Sequence, residues 1–168
     1  MNEEKFWEII KGGEIEIIRS GLSCLNEGEI LAFHHLLTKM ISKACNFPLL
    51  AANFTIESYV SDDGFREFRA WLISQGEDRF YRAIKDPESI TEWLDKDEID
   101  EIDGEPMLWV AEEVYTDICG NDDFYEKVVI VSDPEIEQDW PDDKNAYRNK
   151  WPKLVDKYWN AERINEMH

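Results

Sequence analysis

Three features of the sequence predict an all-α fold, a multi-helix globular bundle of about seven to nine helices with little or no sheet. Apolar residues recur at helical spacing in one segment after another. Cap residues bracket those segments, as Ser61 and Gly76 do around SDDGFREFRAWLISQG, residues 61–76. Only VVIV, residues 128–131, is strongly β-prone, and a lone strand has nothing to pair with. With 168 residues, 43% hydrophobic and 12% aromatic, the chain has core material for a single domain spanning 1–168. A domain of this size buries about two-thirds of its unfolded surface and needs no covalent staples.

Residues 3–11 read as a short helix with Phe6, Trp7 and Ile10 inward, ended by Gly12 and Gly13. EIEIIRSGL alternates like a strand, but Ile15, Ile18 and Leu22 also sit at helical spacing; with no partner strand nearby, helix is preferred. Asn26 followed by Glu29 resembles a capping box and opens a long helix over 26–45, striped by Ile30, Phe33, Leu37, Met40, Ile41 and Ala44. His34 falls at the edge of that stripe and His35 nearly opposite it, so the two cannot chelate one ion. His34 reads as a core-edge histidine bonded to a backbone or carboxylate partner. Residues 47–59, with Pro48 near the start, put apolar side chains on more than one face and form a buried central helix.

In the 61–76 helix, Ser61 is the N-cap and Asp62 and Asp63 occupy the first turn, where the helix dipole favours carboxylates. Phe65, Phe68 and Leu72 share the core face, while Asp63, Glu67 and Ser74 point to solvent. Asp62 and Arg66 are spaced for a surface ion pair worth about 0.3–0.5 kcal/mol. The sharper alternative is a polar site of Asp62, Arg66 and Arg69, with Arg69 pressed against apolar surroundings and demanding a buried carboxylate. Residues 78–85 follow, then Pro87 at a first-turn position before SITEWL. Arg66, Arg69, Arg79, Arg82 and Lys85 nearly balance the local acids. A phosphate or carboxylate could sit among them, although pairing within the chain is the simpler use.

DKDEIDEIDGE, residues 95–105, is not a calcium loop: with Gly104 at the sixth position, Ile99 and Val110 occupy the two key ligand positions. It reads as a solvated linker or flexible acidic lip. MLWVAEEVYTDI resumes helical spacing through Leu108, Ala111, Val114 or Tyr115, and Ile118, and stops at Gly120. VVIV becomes an extended packing segment or a helix end. The tail, with Leu154, Val155, Tyr158 and Trp159 as anchors, is net basic and suited to docking on the acidic segment.

The net charge is −20, and residues 87–143 supply nearly all of it, with 2 basic and 21 acidic side chains. Such a field repels nucleic acid and anionic lipid and draws in cationic proteins. Acidity as a plain solubility device is the competing explanation. Cys24, Cys45 and Cys119 are odd in number and widely spaced, which reads as free, buried or half-buried thiols in a reducing compartment. There is no export signal and no span long enough to cross a bilayer, so a cytoplasmic location is expected. No residue spacing implies a metal or a cofactor.

The run SDDGFREFRAWLISQG, followed by Phe80, Ala83 and DPESI at 86–90, resembles an uncharacterised bacterial family, domain of unknown function 4240. The likeness extends to FWEII at 6–10, EILAFHHLLTKMISKA at 29–44, VAEEVY at 110–115 with Gly120, and NKWPKLVDKYW at 149–159. Leu50 stands where the family implies a Trp. Ser58, Tyr59 and Val60 replace a glycine-containing approach to Ser61, which alters any pocket that this loop shapes. The resemblance implies the fold and no reaction.

Two function classes therefore stand against each other. One is a non-catalytic acidic binding module, immunity-like, inhibitor-like or regulatory, that engages a basic protein. Its candidate contacts are Trp93 and Trp140 as exposed anchors, with Asp97, Glu98, Asp100, Glu101 and Asp103. The other is an enzyme or small-ligand binder whose site gathers His34, Asp62, Asp63, Arg66 and Arg69.

Overall fold

A computed structural model describes residues 1–11 and 13–166. In chain order the α-helices are α1 (Glu3–Ile10), α2 (Ile15–Ser23), α3 (Glu27–Lys43), α4 (Phe47–Glu57), α5 (Asp62–Ser74), α6 (Glu77–Lys85), α7 (Glu105–Cys119), α8 (Phe124–Lys127), α9 (Lys144–Lys150), α10 (Pro152–Tyr158) and α11 (Ala161–Glu166). Two 3-10 helices, Pro87–Glu92 and Lys96–Glu101, lie between α6 and α7. Nine of the α-helices have seven residues or more, and there is no strand among the described residues, so the protein is all-α.

Local chemistry sets the helix starts. The Asn26 side chain accepts from the Glu29 N–H at 3.0 Å while Glu29 accepts from the Asn26 N–H at 3.1 Å, closing the reciprocal box that caps α3. Ser61 Oγ accepts from the Gly64 N–H at 3.0 Å and starts α5. Gly76, at φ +96°, is in the left-handed region and separates α5 from α6.

The ambiguous EIEIIRSGL stretch is helical, as α2. Its neighbours supply no strand to pair with, so burial of Ile18 and Leu22 decides for helix over alternation.

α5 is the central element, packed by α3, α4, α6 and α7. The expected solvated face shrinks to the first turn and Arg66: Phe68, Arg69, Ala70, Trp71, Leu72 and Ile73 are all buried, and Glu67 and Ser74 are half-buried. The cause is α7, which begins against the α5 backbone. A Cβ added at Gly104 would lie 1.8 Å from the Glu67 carbonyl oxygen, so only glycine permits this approach.

Other expectations change as well. SITEWL continues as a 3-10 turn after Pro87. The acidic stretch after Asp95 is not a loose lip; it is the second 3-10 helix, pinned by buried Ile99 and capped by Asp95 and Glu98. The buried stripe of α7 is Met107, Val110, Ala111, Val114 and Tyr115, which leaves Ile118 46% exposed. Residues 128–142 form an extended strap with no helical turn. VVIV, as its first part, packs little, with Ile130 88% exposed. Cys24 is exposed, not buried.

The basic tail does dock on the acidic segment. Lys157 reaches Asp95 at 3.4 Å and Arg163 reaches Asp100 at 2.7 Å. Tyr158 is buried and donates its hydroxyl to the Leu94 carbonyl at 2.6 Å.

Candidate functional site

The first two turns of α5 project Asp63, Arg66 and Glu67 toward His34 of α3, Glu105, Leu108 and Trp109 of α7, and Tyr125 of α8. Together they line a basin of about 540 Å³. Three of the five candidate polar residues, His34, Asp63 and Arg66, converge here. Asp62 and Arg69 do not line it.

Arg69 serves the fold instead. It is buried, donates to the carbonyls of Phe65 at 3.2 Å and Ile41 at 2.8 Å, and reaches Asp133 of the strap at 2.8 Å. Its guanidinium also covers the Phe65 ring at 4.5 Å. The demand for a carboxylate is met, although Asp133 is 41% exposed and backbone oxygens share the load. The Asp62–Arg66 ion pair does not form; among the described residues Arg66 makes no ion pair and lines the basin.

His34 differs from its expectation. Its ring meets Phe124 edge-on at 4.9 Å, and its buried Nδ1 has no hydrogen-bond partner. Burial, reinforced by the Arg66 charge and then His35, pushes its pKa down to about 4, so the imidazole is neutral across the physiological range. Burial raises the Glu67 carboxyl, and Glu105, Asp103 and Asp63 push it in the same direction. Tyr125 donates to Glu112 at 2.5 Å, and burial followed by that carboxylate pushes its hydroxyl up to about 12. The basin is thus a neutral imidazole and one guanidinium facing several carboxylates beneath two aromatic rings. Trp109 is 44% and Tyr125 55% exposed at its rim.

The candidate partner-binding residues lie elsewhere. Trp93 is half-buried, packed on Trp71 at 5.7 Å with Arg79 over its ring at 4.6 Å, so it is no exposed anchor. Trp140 is 36% exposed and sits edge-on against Phe47 at 5.1 Å, holding the strap. Glu98 and Asp103 accept from the backbone N–H groups of Asp95 and Glu105, and Asp100 is paired with Arg163. Asp97 and Glu101 are exposed on the second 3-10 helix.

Trp109, Tyr125 and Glu105 were not anticipated in the sequence. Trp109 had a signal: it falls outside the apolar stripe of its helix, and a tryptophan on a polar face is worth noticing. Tyr125 had none, because α8 is only four residues long.

Among the described residues, no group of three or more His, Cys, Asp or Glu side chains could hold a metal ion. None of the described helices is long and apolar enough to cross a membrane. Neither the curated proteins nor the solved structures gave a match. The match to a family model covers residues 1–117, which includes α1 through nearly all of α7 and leaves Gly120 and NKWPKLVDKYW outside it. The chain belongs to that family, described as protein of unknown function (DUF4240).

Proposed function

We propose that this chain is a non-catalytic, cytoplasmic binding module that acts as one unit, 1–168, and engages a basic protein at the Trp109–Tyr125 basin. The observation that carries this reading is the pairing of two exposed aromatic rings with Asp63, Glu67 and Glu105, carboxylates that make no ion pair among the described residues. Large aromatics supply most of the contact energy at interfaces, and surrounding charge sets on-rate and partner choice. A lysine or arginine side chain entering the basin would meet both a ring face and a carboxylate. The anchors thus shift from Trp93 and Trp140 to Trp109 and Tyr125, and the role stays immunity-like, inhibitor-like or regulatory.

The alternative of an enzyme using His34 fits less well. A general base works best when its pKa lies near the operating pH. An imidazole held near 4 by burial and Arg66 is a feeble base at neutral pH.

Affinity capture from a native lysate, nuclease-treated, at low and high salt, tests the proposal when wild type is run beside the W109A/Y125A variant. One basic protein should be retained stoichiometrically at low salt, weakened by salt and lost with the double variant. An empty capture at both salts, or equal retention by the variant, would overturn it.

A further inference from the structure

The approach of α7 to α5 decides where charge sits in the Trp109–Tyr125 basin. Gly104 presses on the Glu67 carbonyl, so its chain neighbours Asp103 and Glu105 are brought beside Glu67. Asp63, one turn earlier on α5, joins them. Burial raises the Glu67 carboxyl first, and the charges of Glu105, Asp103 and Asp63 add to it, which places all four carboxylates within electrostatic reach of one another. Asp103 also accepts from the Glu105 N–H at 3.0 Å. None of the four meets a lysine or arginine among the described residues. Like charges held together without a cation repel, and a bound cation relieves them.

The open aromatic surface adjoins these acids. Trp109 stands four residues after Glu105 and so shares its face of α7. Its ring is 44% exposed, Tyr125 is 55% exposed, and Leu108 lines the basin with them. Arg66 lies to the other side: its charge is felt at His34 and Tyr125, and it makes no ion pair among the described residues. It keeps an incoming cation away from the α3 wall. The place left for one is between α5 and α7, beside Trp109.

Lysine and arginine answer this arrangement differently. An ammonium is a compact, strongly hydrated point charge, whereas a guanidinium is a weakly hydrated plate that donates along its edges and stacks through its face. Carboxylates on two separate helices suit the edges, and the Trp109 ring suits the face. We propose that the basin selects an arginine side chain over lysine. The guanidinium donates to Glu67 on α5 and Glu105 on α7 and lies against Trp109, while Tyr125 and Leu108 cover its methylene stem. This inference rests on the reading that the basin engages a basic protein, and it narrows that partner to one presenting an exposed arginine.

The test is chemical-shift titration of the whole chain, read at the Trp109 indole N–H, with acetylated and amidated tripeptides Gly-Arg-Gly, Gly-Lys-Gly and Gly-citrulline-Gly. The arginine peptide should shift the indole saturably, and the lysine peptide should bind about tenfold more weakly. Citrulline keeps the shape without the charge and should bind more weakly still. Glu105→Gln, at an exposed position, should lower arginine affinity about tenfold without lowering Tm. Equal binding of the arginine and lysine peptides would overturn the selectivity and leave the basic-partner reading standing. Citrulline binding as tightly as arginine, or unchanged arginine affinity in Glu105→Gln, would also overturn it. No saturable shift with either cationic peptide would overturn both the selectivity and the reading beneath it.

Discussion

Residues 105–119 and residues 128–142 belong to the same acidic segment, yet one is a core helix and the other a strap on the surface. Charge does not separate them; apolar spacing does. α7 repeats Met107, Val110, Ala111, Val114 and Tyr115 along one side and buries them against α2, α3 and α5. VVIV offers as much hydrophobicity but in one unbroken run followed by Ser132, Asp133 and Pro134, with no helical stripe and no strand to pair with. The strap is instead fixed at points: Asp133 by Arg69, the Ser132 carbonyl by Ser42 Oγ at 3.1 Å, Asp139 by Lys150 at 2.6 Å, and Trp140 by Phe47 and Phe54. A helix buried along its length resists any one local change, whereas a strap held at points depends on each of them.

Removing Arg69 unties the strap from the α3–α5 core and should have the largest effect. Arg69→Ala leaves the Phe65 and Ile41 carbonyls without their donor and releases Asp133, for a loss of about 3–5 kcal/mol in urea unfolding. It should also expose 128–142 to limited proteolysis. A loss below about 1 kcal/mol would mean that Arg69 is a surface residue in solution. Gly104→Ala comes next, at about 3 kcal/mol, because the new Cβ must push α7 away from the Glu67 carbonyl.

A paired truncation measures the contrast itself. Met107→Ala, in buried α7, should cost about 2–5 kcal/mol, while Ile130→Ala, at an 88% exposed position, should stay within about 0.5 kcal/mol. Similar losses at the two positions would show that VVIV is buried in solution and that the two regions do not differ as described.

The smallest effect is in the pH profile. His34 is held near 4, below its ordinary 6.5, so its contribution to stability is complete above 6.5 and is lost as pH falls toward 4. Glu57 runs oppositely. Burial pushes it up to about 7 from 4.5, ahead of the opposing Asn53 hydrogen bond and Arg163 charge, so stability declines as pH rises from 4.5 to 7. Between 4.5 and 6.5 the two trends oppose each other. Glu57→Gln should therefore raise stability above pH 7 by on the order of 1–3 kcal/mol, and His34→Gln should flatten the acid limb, both read as Tm against pH. An unchanged profile in both variants would remove the account of their burial.

Much of this architecture was legible because it is local. The Asn26–Glu29 box, the Ser61 cap, Pro87 at a first turn, and the stop at Gly76 all depend on neighbours within one helical turn. What escaped depends on distant partners. Nothing near Glu67 announces that Gly104 presses against it, so by spacing alone the far face of α5 reads as solvated. In the sequence Trp93 has the look of an exposed anchor, because its cover, Trp71 and Arg79, comes from α5 and α6. For the candidate site, the α5 spacing presented Asp63 and Arg66 together, and His34 joined them through α3, but Tyr125 arrives on a four-residue helix that no periodicity can reveal.

The central claim is that a defined basin, and not bulk acidity, binds a basic partner. Calorimetric titration of a lysine- and arginine-rich peptide tests it most directly, using wild type, W109A/Y125A, and a variant neutralising the 3-10 acids, D97N/E98Q/D100N/E101Q. The account predicts that wild type binds in a salt-sensitive way, that the aromatic variant loses binding with its charge unchanged, and that the neutralised variant keeps most of it. Affinity that follows total charge alone, falling in the neutralised variant and intact in W109A/Y125A, would contradict the claim and leave the acidity as a solubility device.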